Sequence, residues 1–279
     1  MKEHFGSLVP LCLLFAGLNF AGPATAQNQT GSVTPPPNVL EITVESIKPS
    51  QNGAPHEKTE QQFVQAFRNA KWPEHYLGMD ALSGKPRAIF FVSYDSFEAW
   101  QKDMDATEKD ASFSAALADA SAADGALLEA TENSTYVYRE DLSLRAPVDI
   151  PHMRYMGITI FNLRPGHQHD FETLAKTYMA AYEKIPQAHW ATFEKMYGTA
   201  AGTRFIVITP MKSLAEVDQE MSNDKGFAAA AGEEQLQKMR DLTQAAVESI
   251  ESNVVRFNPK MSYVPDSWSS ADPTFWGSK

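Results

Sequence analysis

The order of apolar and polar positions divides the chain into two copies of one pattern. From Val39 the text VLEITVE alternates strictly, with Leu40, Ile42 and Val44 on one face and Glu41, Thr43 and Glu45 on the other. That period of two predicts a half-buried strand. After Ile47-Lys48-Pro49 the period becomes helical, with Phe63, Phe67 and Ala70 at i, i+4 and i+7. A hairpin turn at Ser83-Gly84-Lys85-Pro86 then leads into a continuous apolar run, Ile89-Phe90-Phe91-Val92. Such a run suits a strand covered on both faces. A helical segment from Phe97 (FEAWQKDM), an alanine-rich stretch after Phe113 and a closing strand at Thr135-Tyr136-Val137-Tyr138 complete the copy.

The second copy repeats this from Met153. Its first strand closes on Leu163-Arg164-Pro165, and its first helix carries Phe171, Leu174, Ala175, Tyr178, Tyr182 and Ile185 on one face. Phe205-Ile206-Val207-Ile208 is the apolar run, LAEVDQEM from Leu214 the helical text, Phe227 precedes alanines, and Val254-Val255-Arg256-Phe257 closes the copy. A His–aromatic pair separates the first helix from the second strand in each copy: His75-Tyr76 and His189-Trp190. The order strand, helix, strand, strand, helices, strand is the ferredoxin-like, split βαβ unit. The predicted fold class is α+β, with module 1 over residues 39–145 and module 2 over 151–262. Residues 27–38 (QNQTGSVTPPPN) read as a linker. Residues 263–279 form a C-terminal tail whose Trp268, Phe275 and Trp276 are expected to lie across the body, because exposed tryptophan is costly. A partner-binding tail is the alternative.

A single such module covers only one face of its sheet with helices, so the other face must find a partner. The tandem pattern resembles a fused dimeric α+β barrel. That superfamily includes antibiotic-biosynthesis-type monooxygenases, NIPSNAP-like proteins, chlorite dismutase-like haem proteins and small binding modules. The segments HEKTEQQFVQAFRNAKWPEHYLG, SGKPRAIFFVSYDSFEAW and PHMRYMGITIFNLRPG also resemble uncharacterised exported proteins of soil bacteria. The resemblance implies a fold and a place for a site; it implies no reaction.

Composition adds a compartment and excludes partners. Leu8 to Phe20 is mostly apolar and uncharged, but shorter than the roughly 20 residues a spanning helix needs. It is followed by Pro23-Ala24-Thr25-Ala26, so residues 1–26 read as a signal peptide cleaved after Ala26. The expected location is periplasmic or extracellular. Cys12 is the single cysteine and lies in that segment, so a processed chain has no disulfide, thiolate metal site or cysteine nucleophile. The net charge of −11 gives no electrostatic claim on nucleic acid or anionic lipid. No nucleic acid and no membrane are expected as partners after processing, a small molecule is, and the oligomeric state is open.

Among chemically capable residues, His75 and His189 stand first, because a neutral imidazole near pH 7 can act as a base or ligate haem or a metal. Local hydrogen bonding after the helix is the plainer reading of both. Tyr76 and Trp190 beside them are candidate ligand contacts. Glu41 and Glu45 are further candidates: with the apolar face of their strand packed on helices, both would point into the barrel, where desolvation raises a carboxyl pKa. Solvent at the sheet margin, or an arginine partner, is the alternative. His167-Gln168-His169 is a weak metal motif, since residues two apart on a helix do not face each other. No motif requires a metal or a cofactor, although haem is compatible with the histidines. No nucleophile elbow, HExxH, P-loop or dinucleotide fingerprint is present. The expected function is therefore binding of a small apolar molecule in or beside the barrel. A cofactor-independent oxygenase or isomerase, or a haem protein, using His75 or His189, is the enzymatic alternative. A protein-interaction module is the third.

Overall fold

The structure is a computed structural model that describes residues 33–199 and 201–277. The predicted signal peptide and cleavage site, Cys12 included, lie outside these residues. In the first half, β1 (Val39–Ile47) leads to α1 (Ala54–Ala70), β2 (Tyr76–Ala81) and β3 (Arg87–Tyr94). Then come α2 (Phe97–Lys109), α3 (Ala111–Gly125) and β4 (Leu128–Tyr138). The second half repeats the order with β5 (Tyr155–Leu163), α4 (Gln168–Tyr182), β6 (Ala191–Gly198) and β7 (Arg204–Met211). It continues with α5 (Ala215–Ala231), α6 (Glu233–Ala246) and β8 (Val247–Phe257). Two short helices, α7 (Asp266–Ala271) and α8 (Pro273–Trp276), end the described chain.

The eight strands close into one antiparallel barrel in the order β1-β3-β2-β8-β5-β7-β6-β4. Each half contributes four neighbouring strands, β4-β1-β3-β2 and β8-β5-β7-β6. The seams are β2–β8, joined at Met79↔Phe257 through Ala81↔Val255, and β4–β6, joined at Ser134↔Gly198 through Tyr138↔Phe193. Closure gives every strand two neighbours, although the seams are short: β4 meets β6 only from Ser134 onward and β8 meets β2 only from Val255 onward. The helices lie outside.

The apolar runs behave as their patterning requires. Ile89 and Phe91 of β3, like Ile206 and Ile208 of β7, point into the barrel; Phe90 and the pair Phe205 and Val207 point out beneath the helices. The inner cluster joins both halves, with Leu40, Ile42, Leu77, Met79, Phe193 and Val255 among its members. Strand β1 is reversed from the sequence expectation. Its Leu40 and Ile42 face inward and its glutamates face the helices. The barrel lumen is enclosed by apolar walls from both copies, so the apolar face of β1 is buried most completely there.

The internal symmetry extends to turns. After β4, Ser143 Oγ accepts from Thr192 N at 2.9 Å and donates to Arg139 O at 2.7 Å. After β8, Ser262 Oγ accepts from Gly78 N at 2.9 Å and donates to Asn258 O at 2.7 Å. Backbone bridges Leu144↔Trp190 and Tyr76↔Tyr263 stand beside them. Gly78 is required at this clasp, because a Cβ there would collide with the Met261 carbonyl.

Both flanking segments lie on the barrel. Thr34 pairs with Val148, so the described part of the predicted linker is held to the segment connecting the halves. The tail packs back as expected: Trp276 is buried, donates from Nε1 to Pro151 O at 2.8 Å, and meets Trp268 and Phe275. Asp272 caps α8 and pairs with Arg154, whose guanidinium lies over the Phe275 ring at 3.9 Å.

Candidate functional site

At one end of the barrel the lumen does not fill. A cavity of about 440 Å³ opens there, near the starts of β1, β2, β5 and β6 and the ends of β3 and β7. Its floor and walls are inner-face side chains from both halves: Leu40, Leu77, Phe91, Met156, Phe193 and Ile208. Pro35, Pro36 and Pro37, the connecting residues Ala146, Val148 and Ile150, and Trp268 of the tail complete its rim. The proline run is stiff and gives up few backbone donors, which suits an apolar wall. A volume of this size falls within the range of pockets that take small molecules.

Polar groups gather on one side of the mouth. Glu74, His75, Ser93 and Asp95 line it, and among the described residues that line it there is neither Lys nor Arg. Burial holds the His75 imidazole below the usual histidine range, against the opposing pull of Asp266 and a hydrogen bond with the Pro73 backbone. Its ring stacks flat on Tyr263, centroids 4.8 Å apart and planes 8° from parallel. Burial raises the Glu74 carboxyl, and the negative charges of Asp103 and Asp95 raise it further. Just outside the barrel wall, Asp103 accepts from Trp72 Nε1 at 2.7 Å and from Tyr94 Oη at 2.9 Å. The mouth is thus apolar inside and acidic on one lip.

Of the candidate site residues named from the sequence, His75 and Tyr76 reach this cavity. The Tyr76 ring packs among Phe67, Phe90 and Tyr263 on the helix side of the sheet. His189 stands elsewhere: Nε2 lies 2.9 Å from Pro210 O and Nδ1 3.1 Å from Gln187 O. Both ring nitrogens are directed at backbone carbonyls, which leaves neither aimed at the lumen. Trp190 is buried against Tyr182 and donates to Leu142 O at 2.9 Å, in the core beneath the helices of the second half. Glu41 and Glu45 do not enter the lumen. Burial first, then the charge of Asp103, raises the Glu41 carboxyl. Glu45 meets His56 of α1. His167 pairs with Asp170 at 2.8 Å, and the His169 side chain is 90% exposed, so the two do not converge on one point.

The cavity's other walls carried no sequence motif. Their signal was the alternation of β1 and the continuous runs of β3 and β7, which mark inward positions without saying that space remains between them. The Pro35–Pro37 run was visible as text but not as a wall.

No protein-family model matches the chain, and a search of curated proteins finds no relative. Solved structures do resemble it. An anthrone oxidase-like protein superposes with a TM-score of 0.52 at 12% identity, over 79% of this chain and 91% of its own. A Fusobacterium nucleatum protein with a provisional monooxygenase assignment gives 0.51 at 9% identity, over 80% and 93%. A variant of chlorite dismutase from Candidatus Nitrospira defluvii gives 0.49 at 9% identity, over 84% and 95%. Identities this low establish the fold alone. The chain has the architecture of a fused dimeric α+β barrel.

Proposed function

We propose that the protein binds a small, largely apolar molecule in the mouth of its barrel, and that it does so outside the cytoplasm once residues 1–26 are removed. The observation that carries the reading is the cavity of about 440 Å³ walled by apolar side chains of both halves. The acidic lip and the absence of Lys and Arg among its described lining residues favour a neutral or cationic ligand over an anion. Nile red, a neutral apolar dye, is the probe: saturable binding at one site is expected. Ala191→Phe, which fills the wall of β6, is expected to weaken it at least tenfold while circular dichroism stays unchanged. An anionic naphthalene sulfonate dye is expected to bind more weakly than Nile red. Absence of saturable Nile red binding, or full binding by the folded variant, overturns the reading.

A second reading is supported by His75. It is the one histidine among the described cavity-lining residues, and burial favours its neutral form. It can take a proton from an acidic carbon of a bound molecule, as a cofactor-independent oxygenase or isomerase would require. A fold neighbour named anthrone oxidase-like makes anthrones the first compounds to test. Oxygen uptake on such compounds that disappears in His75→Gln while Nile red binding persists would support it. Haem fits these residues poorly. Among the described lining residues there is no Lys or Arg to pair with propionates, and Glu74 and Asp95 stand at the lip.

A further inference from the structure

On the outer side of the barrel, beneath α1 and α3, four buried ionisable side chains meet, Glu45 among them. Glu45 projects outward from β1, His56 and Glu60 stand one turn apart on the inner face of α1, and Asp124 lies in the last turn of α3. All four are buried, His56 to 1% exposure, Asp124 to 2%, Glu60 to 3% and Glu45 to 9%. His56 Nε2 lies 3.0 Å from Glu45 Oε2, 3.4 Å from Asp124 Oδ1 and 3.9 Å from Glu60 Oε1. One ligand atom from each residue falls within 4.8 Å of every other.

Buried carboxylates normally sit against arginine, lysine or several N–H donors. Here three carboxyls share one histidine. Glu60 Oε1 is moreover fully enclosed without a hydrogen-bond partner, although it faces the cluster. A buried acceptor left open costs roughly 1–3 kcal/mol. The fold does not demand this arrangement. The seventh residue of β5, which corresponds to Glu45 in β1, is Phe161, and it packs on Phe171 at 5.1 Å.

We propose that Glu45, His56, Glu60 and Asp124 form a binding site for a divalent first-row metal ion of the zinc class, held between β1, α1 and α3. An ion with bonds of about 2.0–2.1 Å keeps its ligands roughly 3–3.5 Å apart, close to the spacings around His56. The open Glu60 oxygen would gain its missing partner. One imidazole with three carboxylates suits Zn(II), Mn(II), Fe(II) or Co(II); the imidazole disfavours Mg(II) and Ca(II). A supporting hydrogen bond is already present: Thr59 Oγ1 lies 2.7 Å from Asp124 Oδ1. With four protein ligands and no lumen beside it, the ion serves as a staple that fixes the helices of the first half to their strand. This site is separate from the barrel cavity, and its test does not depend on the ligand reading.

The test uses the chain from Gln27, which keeps every described element and lacks Cys12. It is unfolded in urea with chelator, refolded in metal-free buffer or with Co(II), and followed by visible absorption and thermal unfolding. The expected result is one equivalent of Co(II) with a d–d band, displaced by Zn(II), and a raised Tm. Glu60→Gln keeps the size of the side chain, and His56→Gln removes the imidazole. Each is expected to weaken Co(II) binding at least tenfold in protein whose near-UV circular dichroism shows native packing. His169→Gln, on the exposed surface, is expected to leave it unchanged. No stoichiometric band in the folded parent chain overturns the proposal, as does a band that survives in folded Glu60→Gln.

Discussion

His75 and His189 begin from the same position of the repeat and end in different surroundings. His189 spends both nitrogens on the carbonyls of Gln187 and Pro210, whereas His75 stands at the cavity with its imidazole held below the usual range by burial. The sign of the resulting pH dependence follows from linkage. The unfolded chain takes up a proton at this histidine before the folded chain does, so this contribution to stability is intact above the unfolded pKa. It is lost as pH falls from there through the lower folded value. Urea unfolding between pH 8 and 5 should therefore show a steeper acid-side loss in the parent chain than in His75→Gln. Equal slopes would mean that the imidazole is as solvated in the folded chain as in the unfolded one. The pairing of the two histidines was legible as text, but their difference was not, since it depends on Pro210 at the end of β7 and on Tyr263 in the tail.

At the scale of elements, the two serine clasps tie the start of one strand to the turn after another. Ser262 holds the Gly78 N–H and Ser143 holds the Thr192 N–H, each by a bond of 2.9 Å in a buried setting. Removing either hydroxyl leaves a buried donor with no acceptor. Ser262→Ala and Ser143→Ala are each expected to cost about 1–3 kcal/mol, read from urea denaturation midpoints with unchanged m-values. A loss near zero at either site would show that water replaces the hydroxyl there. Helix and strand identities were largely legible, because the period of apolar residues is a local property. Helix α1 shows the limit of that reading. Phe63 and Phe67 marked its apolar face, while His56 and Glu60 at i, i+4 spacing lie on the buried side too. Polar residues at core spacing were the signal that could have found the cluster, and hydrophobic periodicity passes over them.

For the whole molecule, closure is the organising event. Each half has two strands, β2 and β4 or β6 and β8, whose outer edges are satisfied only by the other half. Its inner sheet face is likewise covered only by the other half. Chains ending at Val148 and beginning at Asp149, made separately, are therefore expected to self-associate. Mixed during refolding, they should recover a one-to-one complex, seen by size exclusion with light scattering. A half that stays monomeric and soluble alone would show that closure is not required for its stability.

What the sequence by itself determined was local and repetitive. It carried the two copies, their element order and the need for each bare sheet face to find a cover. It also carried the return of the tryptophan-bearing tail, because tryptophan pays heavily for exposure to water. Tertiary structure decided which face of β1 looks inward, since alternation marks two faces without ranking their burial. It decided that packing stops short of filling one end of the lumen. It also brought Asp124 to Glu45, 79 positions apart in the sequence. Those outcomes depend on how separate elements meet in space, and no period along the chain encodes a distance between them.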